Sequence, residues 1–178
     1  PSNGLKKGVV VNMNQTVESL STALAEAENQ ADINVDQAFV GITGDHIRGI
    51  NYSGVAIINE HKNPNGSQIE ENDIIKVRER AKSINMPPER KILHVLNQNY
   101  KVDDRNNIKN PKGLCARRLE VNVHLVTISK NSESDLKNCL DSEISIHDFV
   151  LEPLASAYAV LSSQQKELGT VLIDIGGG

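Results

Sequence analysis

Apolar residues near the start of the chain recur every three or four positions. Val17, Leu20, Leu24, Ala27 and Ala31 share one face, with Glu18, Glu26 and Glu28 on the wet side. That spacing predicts a helix over 16–31, capped by Thr16 or Asn14. From residue 37 the period shortens. Ala38-Phe39-Val40-Gly41-Ile42 reads as a strand, Thr43-Gly44-Asp45 as a turn, and 47–58 as a strand-rich run broken at Ser53-Gly54. Ile74, Val77, Ala81 and Ile84 return to helical spacing. This helix starts at Ser67, which has capping-box spacing to Glu70, or at 70–72, and Met86-Pro87-Pro88 stops it.

Residues 91–102 form a further expected strand. Leu119 to Leu125 alternates cleanly between apolar and polar, the mark of a half-buried strand. Between them, 103–118 reads as a long loop containing Asn110-Pro111-Lys112-Gly113. A helix over 133–140, a strand over 144–151 and a helix opened by Glu152-Pro153 follow. Leu154, Ala157, Tyr158 and Leu161 give that last helix its apolar face. Residues 162–169 form a polar, hinge-like stretch before a terminal strand over 170–175. The two ends therefore read as α/β material and the middle as an inserted α+β domain.

The terminal strand carries Asp174 and then Gly176-Gly177-Gly178. Glycines after a strand let backbone N–H groups close around phosphate oxygens. An aspartate at the strand end suits a Mg²⁺ ion held through water. A bare glycine run is equally a turn or linker. A phosphate loop normally sits mid-domain, so the chain reads as an internal piece of a longer protein with half of a nucleotide site.

Composition narrows the function classes. The 178 residues carry a net charge of −4, and only 3% are aromatic with no tryptophan. That balance argues against a general nucleic-acid binder, which shows a basic face and stacking platforms. Cys115 and Cys139 stand far apart and form no metal-ligand spacing, so they read as reduced thiols, the usage of a cytosolic protein. No apolar run approaches the length needed to span a bilayer, about 20 residues. His94 and His124 lie on expected strands and read as packed strand histidines. Lys109, Lys112, Arg117 and Arg118 form a basic loop, read either as solvated charge or as a receiver for an acidic partner segment.

Several landmarks occur together in order: His94-Val95, Asn110-Pro111-x-Gly113-Leu114, Val123-His124-Leu125-Val126-Thr127, Leu154-Ala155-Ser156-x-Tyr158 and Asp174-Ile175-Gly176-Gly177-Gly178. From about Gly4 to Gly178 this series resembles the FtsA family of bacterial cell-division proteins, which are actin-like ATPases. The resemblance implies a ribonuclease H-like, actin-like subdomain 1A, built from 1–34 and 130–169, with an inserted SHS2-type 1C domain over 35–129. Residues 170–178 would open subdomain 2A.

The resemblance also implies a function. The parent would be an ATP- and Mg²⁺-binding adaptor with at most weak ATPase activity, and this piece alone would be inactive. It would link the FtsZ ring to the membrane, recruit later division proteins and self-associate, at the cytoplasmic face of the membrane at the division site. Membrane attachment would come through a C-terminal helix outside this piece. Asp174, Gly176, Gly177 and Gly178 match the family's second phosphate motif. Two alternatives share the superfold: a pilus-assembly scaffold like PilM, and a sugar or acetate kinase.

Overall fold

The computed structural model describes residues 2–58, 66–141 and 143–175. In chain order the elements are β1 (Leu5–Lys6), β2 (Val9–Val10), α1 (Met13–Ala31), β3 (Gln37–Ile42), β4 (Arg48–Ile57), β5 (Ser67–Gln68) and α2 (Glu71–Lys82). They continue with β6 (Arg90–Val102), β7 (Arg105–Ile108), β8 (Cys115–Ala116), β9 (Arg118–Ser129), α3 (Lys130–Leu140), β10 (Ser145–Leu151), α4 (Glu152–Val160) and α5 (Ser163–Leu168). The chain divides into two compact units, one made of everything up to Ile47 together with Ile128 onward, the other of Arg48–Thr127. The expected insert ran from 35 to 129. β3, inside that span, pairs with β10 in the first unit.

In the first unit, β1 and β2 form an antiparallel hairpin. Lys7 (φ 50) and Gly8 (φ 73) at its tip are both left-handed, the conformation that matches hairpin twist. Helix α1 begins three residues before the expected 16. Its N-cap is Asn12, whose Oδ1 accepts the Gln15 N–H at 3.2 Å. Thr16 is buried inside the first turn, donating its hydroxyl to the Asn12 carbonyl at 2.8 Å. β3 and β10 run parallel, from Gln37↔Ser145 to Ile42↔Leu151. Leu136, Cys139 and Leu140 of α3 are buried, and α3 packs against α1, β2 and β10.

Two expectations at the end of the chain are corrected. The stretch 162–169 is largely helical: Ser162 and Gln165 form a reciprocal capping box that starts α5. Residues 171–175 are not a strand. No described strand lies beside them to complete a ladder, and Val171, Ile173 and Ile175 are exposed.

In the second unit a four-stranded sheet has the order β4-β9-β6-β7. β4 and β9 are antiparallel in unbroken register from Arg48↔Thr127 to Ile57↔Arg118. Contacts between β6 and β9 also run in opposite directions: Asp103 N–H reaches Arg118 O at 3.0 Å, Asn122 reaches Asn99, and Arg90 reaches Thr127. One sheet face carries α2. Leu119, Val121, Val123 and Leu125 of β9 point into this core and are fully buried, as their alternation predicted, beneath Ile74, Val77 and Ala81.

Helix α2 is capped by Glu70, which shares a capping box with Asp73, and does not start at Ser67, which lies in β5. β4 is continuous through Ser53-Gly54, where a break was expected. A Cβ on Gly54 would collide with the Val77 carbonyl and the Ala81 amide, so the glycine there serves close helix–sheet approach.

The expected long loop over 103–118 holds β7 and β8. Within it, the Asn110 side chain accepts the Lys112 N–H at 3.1 Å and Pro111 is fully buried. Gly113 N–H reaches the Ile69 carbonyl, and Ile69 N–H the Leu114 carbonyl, each at 2.9 Å. The segment is thus stitched onto the residue following β5. No described helix is long and apolar enough to cross a membrane.

Candidate functional site

A cleft of about 800 Å³ opens in the first unit. Its walls come from the β1–β2 hairpin tip at Lys7 and Gly8, residues 41–45 at the end of β3, Glu152 and Pro153 at the start of α4, and Asp174. Local backbone chemistry shapes the rim. Gly8 packs directly on the Thr43 carbonyl and Gly44 on the Lys7 carbonyl, so a side chain at either glycine would push hairpin and turn apart. Lys7 Nζ and Asp45 form an exposed ion pair at 3.6 Å across the same join.

The Asp174 carboxylate on this wall accepts a 2.7 Å hydrogen bond from Ser156 Oγ of α4. Leu154-Ala155-Ser156 and Asp174, far apart as motifs, therefore meet in space. Glu152 occupies the first turn of α4, where the helix dipole favours negative charge. Gly41 leaves room for it: a Cβ there would stand 3.1 Å from Glu152 Cγ. Glu152 and Asp174 line the cleft together with the ion-paired Asp45, and carboxylate oxygens suit a hydrated Mg²⁺ ion. Among the described residues no cluster of three or more metal-ligating side chains forms.

Glu152 was read from sequence only as a helix opener beside a proline. Its place on the cleft was missed, because nothing in the linear pattern shows that β3 ends opposite α4. Gly176, Gly177 and Gly178 lie outside the described residues.

Of the four basic residues Lys109, Lys112, Arg117 and Arg118 in the second unit, two form ion pairs at the surface. Lys112 Nζ lies 3.2 Å from Glu71, and Arg118 lies 3.0 Å from Glu120. The backbone N–H groups of Arg117 and Arg118 both reach the Asp103 carboxylate, at 3.1 and 2.8 Å. Lys109 follows the end of β7 and also has a partner. His124 Nδ1 pairs with Asn51 Oδ1 at 2.7 Å, a strand-to-strand contact. Burial pushes the Cys139 thiol above its usual range, and the Asp135 carboxylate adds to the shift.

A mixed α/β unit carrying a separate sheet-and-helix module is the architecture of actin-like proteins with an SHS2 insert. Residues 44–127 match the family described as the SHS2 domain inserted in FTSA. By fold, the chain is similar to a chain of the PilM-PilN type IV pilus biogenesis complex. The TM-score there is 0.51 at 12% identity, over 89% of this chain and 40% of that one.

Sequence similarity is closer to cell division protein FtsA. Identity is 40% to FtsA of Pseudomonas aeruginosa, 38% to that of Bacillus subtilis and 32% to that of Escherichia coli, in each case over 100% of this chain. Residues 44–127 thus match an SHS2 domain of the kind inserted in FtsA, and the chain is similar to FtsA in sequence along its whole length. It spans 42% of the length of the Pseudomonas aeruginosa relative.

Proposed function

We propose that this chain is part of an ATP-binding adaptor of bacterial cell division. In this reading the parent binds ATP with Mg²⁺, works at the cytoplasmic face of the membrane at the division site, links an FtsZ ring to that membrane and recruits later division proteins. The division role is supported by FtsA-like sequence along the whole chain. The nucleotide part rests on one observation: Asp174, held by Ser156, lines the same cleft as Glu152. Asp174 would orient water on the metal, and Glu152 would position a water near the terminal phosphate.

ATP binding would favour one arrangement of the parent over another through differential affinity, a population shift that needs no fast turnover. The test uses the native full-length protein and a fluorescent ATP analogue with Mg²⁺. Asp174→Ala should weaken binding at least about tenfold, near 1.4 kcal/mol, while Ser156→Ala gives a smaller loss. Unchanged affinity in Asp174→Ala removes the site. Co-sedimentation with FtsZ on lipid vesicles tests the adaptor role separately.

A further inference from the structure

β4 is an outer strand of the four-stranded sheet in the second unit, and among the described residues only β9 pairs with it. The direction of its backbone groups follows from three bonds. Ile58 N–H reaches the Arg117 carbonyl of the β9 side at 2.8 Å. Arg48 O, on the same side, accepts from Thr127 Oγ1 at 3.2 Å. Val55 O points the other way and accepts from Arg80 Nη1 of α2 at 2.8 Å. Because backbone groups alternate along a strand, Gly49, Asn51 and Ser53 turn their N–H and C=O groups outward with Val55. All three residues are exposed, and among the described residues none bonds to those outward groups.

This edge lacks the usual protection. Proteins guard edge strands with charge, proline or a bulge. Residues 49–57 contain no charged residue and no proline, and the register with β9 has no bulge. The exception is Arg80, which closes the edge at Val55 and leaves cationic donors exposed there. On the outer face beside the open stretch lies a shallow hollow of about 300 Å³ lined by Asn51, Ser53, Gln98 and Asn122 with Tyr52. Side chains on an added strand opposite Asn51 and Ser53 would fall on that same face.

The geometry points to β4 as a strand-addition site for an extended segment of a partner protein, carrying small polar side chains at alternate positions and an Asp or Glu at the end beside Arg80. Three outward N–H and three outward C=O groups supply the ladder; the amide-lined hollow selects the polar side chains; Arg80 sets register by charge. The inference rests on the second unit alone and stands whatever ligand the first unit takes.

The test is fluorescence anisotropy with the 178-residue chain and labelled synthetic peptides of alternating threonine and valine. Two peptides carry one aspartate, at either end, and a third has asparagine in its place. One aspartate peptide should bind saturably, about tenfold tighter than the asparagine version, with an advantage that fades in high salt. Ser53→Pro removes an outward N–H, a change an edge strand tolerates, and should abolish binding while the melting curve stays cooperative. If that variant fails to fold, N-methylation of alternate peptide amides replaces it: one methylation pattern should abolish binding and the other should spare it. Arg80→Gln should erase the aspartate advantage. No saturable binding at millimolar peptide, or equal binding by folded Ser53→Pro, overturns the proposal. So does a concentration-dependent dimer of the chain that Ser53→Pro dissolves, which would assign the edge to a second copy.

Discussion

Gly54 is where the second unit is most sensitive to a single added methyl group. Its backbone does not need glycine, since its φ lies outside the left-handed range. What it needs is space. A Cβ would meet the Val77 carbonyl, the Ala81 nitrogen at 2.6 Å and Ala81 Cβ at 2.9 Å. The first two are helix backbone and cannot rotate away. Restoring a 3.4 Å contact with the Val77 carbonyl, the nearer of the two, requires α2 to lift by about 1 Å. Ile74 and Val77 hang from that helix over β9. Together they make on the order of 80 atom contacts of about 0.1 kcal/mol each, and a gap of this size forfeits a quarter to a half of each. Gly54→Ala should therefore cost about 2–4 kcal/mol.

The control is Gly113→Ala. There φ is +81 and nothing lies within 4 Å, so the cost is backbone strain alone, about 1–2 kcal/mol. Urea unfolding followed by far-UV circular dichroism separates the two. A Gly54→Ala midpoint indistinguishable from the parent chain, or one less affected than Gly113→Ala, would falsify the close-approach account.

Asn12→Ala should lower stability by about 1 kcal/mol through loss of the α1 cap, read as a lower thermal midpoint of the first unit; no change means the cap is dispensable. A thiol reagent at neutral pH should label exposed Cys115 within minutes and buried Cys139 only after denaturant is added. Because the Cys139 thiol is raised in the folded state, its contribution is complete below its usual 9.0 and is lost as pH climbs beyond that value. Stability should accordingly fall on the alkaline side, and Cys139→Ala should flatten that fall; an unchanged alkaline slope would locate the effect elsewhere.

Periodicity was enough to read the larger elements. The β9 alternation from Leu119 to Leu125 gave its buried face correctly, and Ile74, Val77 and Ala81 gave the α2 face. Short elements escaped, since two residues such as Leu5–Lys6 or Cys115–Ala116 carry no period. Ser53-Gly54 looked like a break because glycine lowers strand propensity, whereas tertiary packing demanded it. Apolar residues 171–175 looked like a strand, but a ladder needs a neighbour that local pattern cannot supply. At the cleft, Asp174 was singled out in the sequence by its place before the glycines, and the structure puts it among the lining residues. Glu152 was not, because its meaning depends on parallel pairing between β3 and β10, elements separated by the whole second unit.

That separation bears on the order in which the chain folds. β3 finds β10 only after roughly a hundred intervening residues have been brought under control. Yet the two ends of the intervening unit are register partners: Arg48 lies opposite Thr127. Once the second unit has folded, it behaves as a very short tether with its exits side by side. Taking the second unit out of a connection of roughly a hundred residues leaves about twenty, which lowers the entropic cost of joining β3 to β10 by roughly 1–1.5 kcal/mol. The inserted unit would then act as a scaffold for its host's topology, folding early on contacts of its own and making the slow, long-range parallel pairing effectively local.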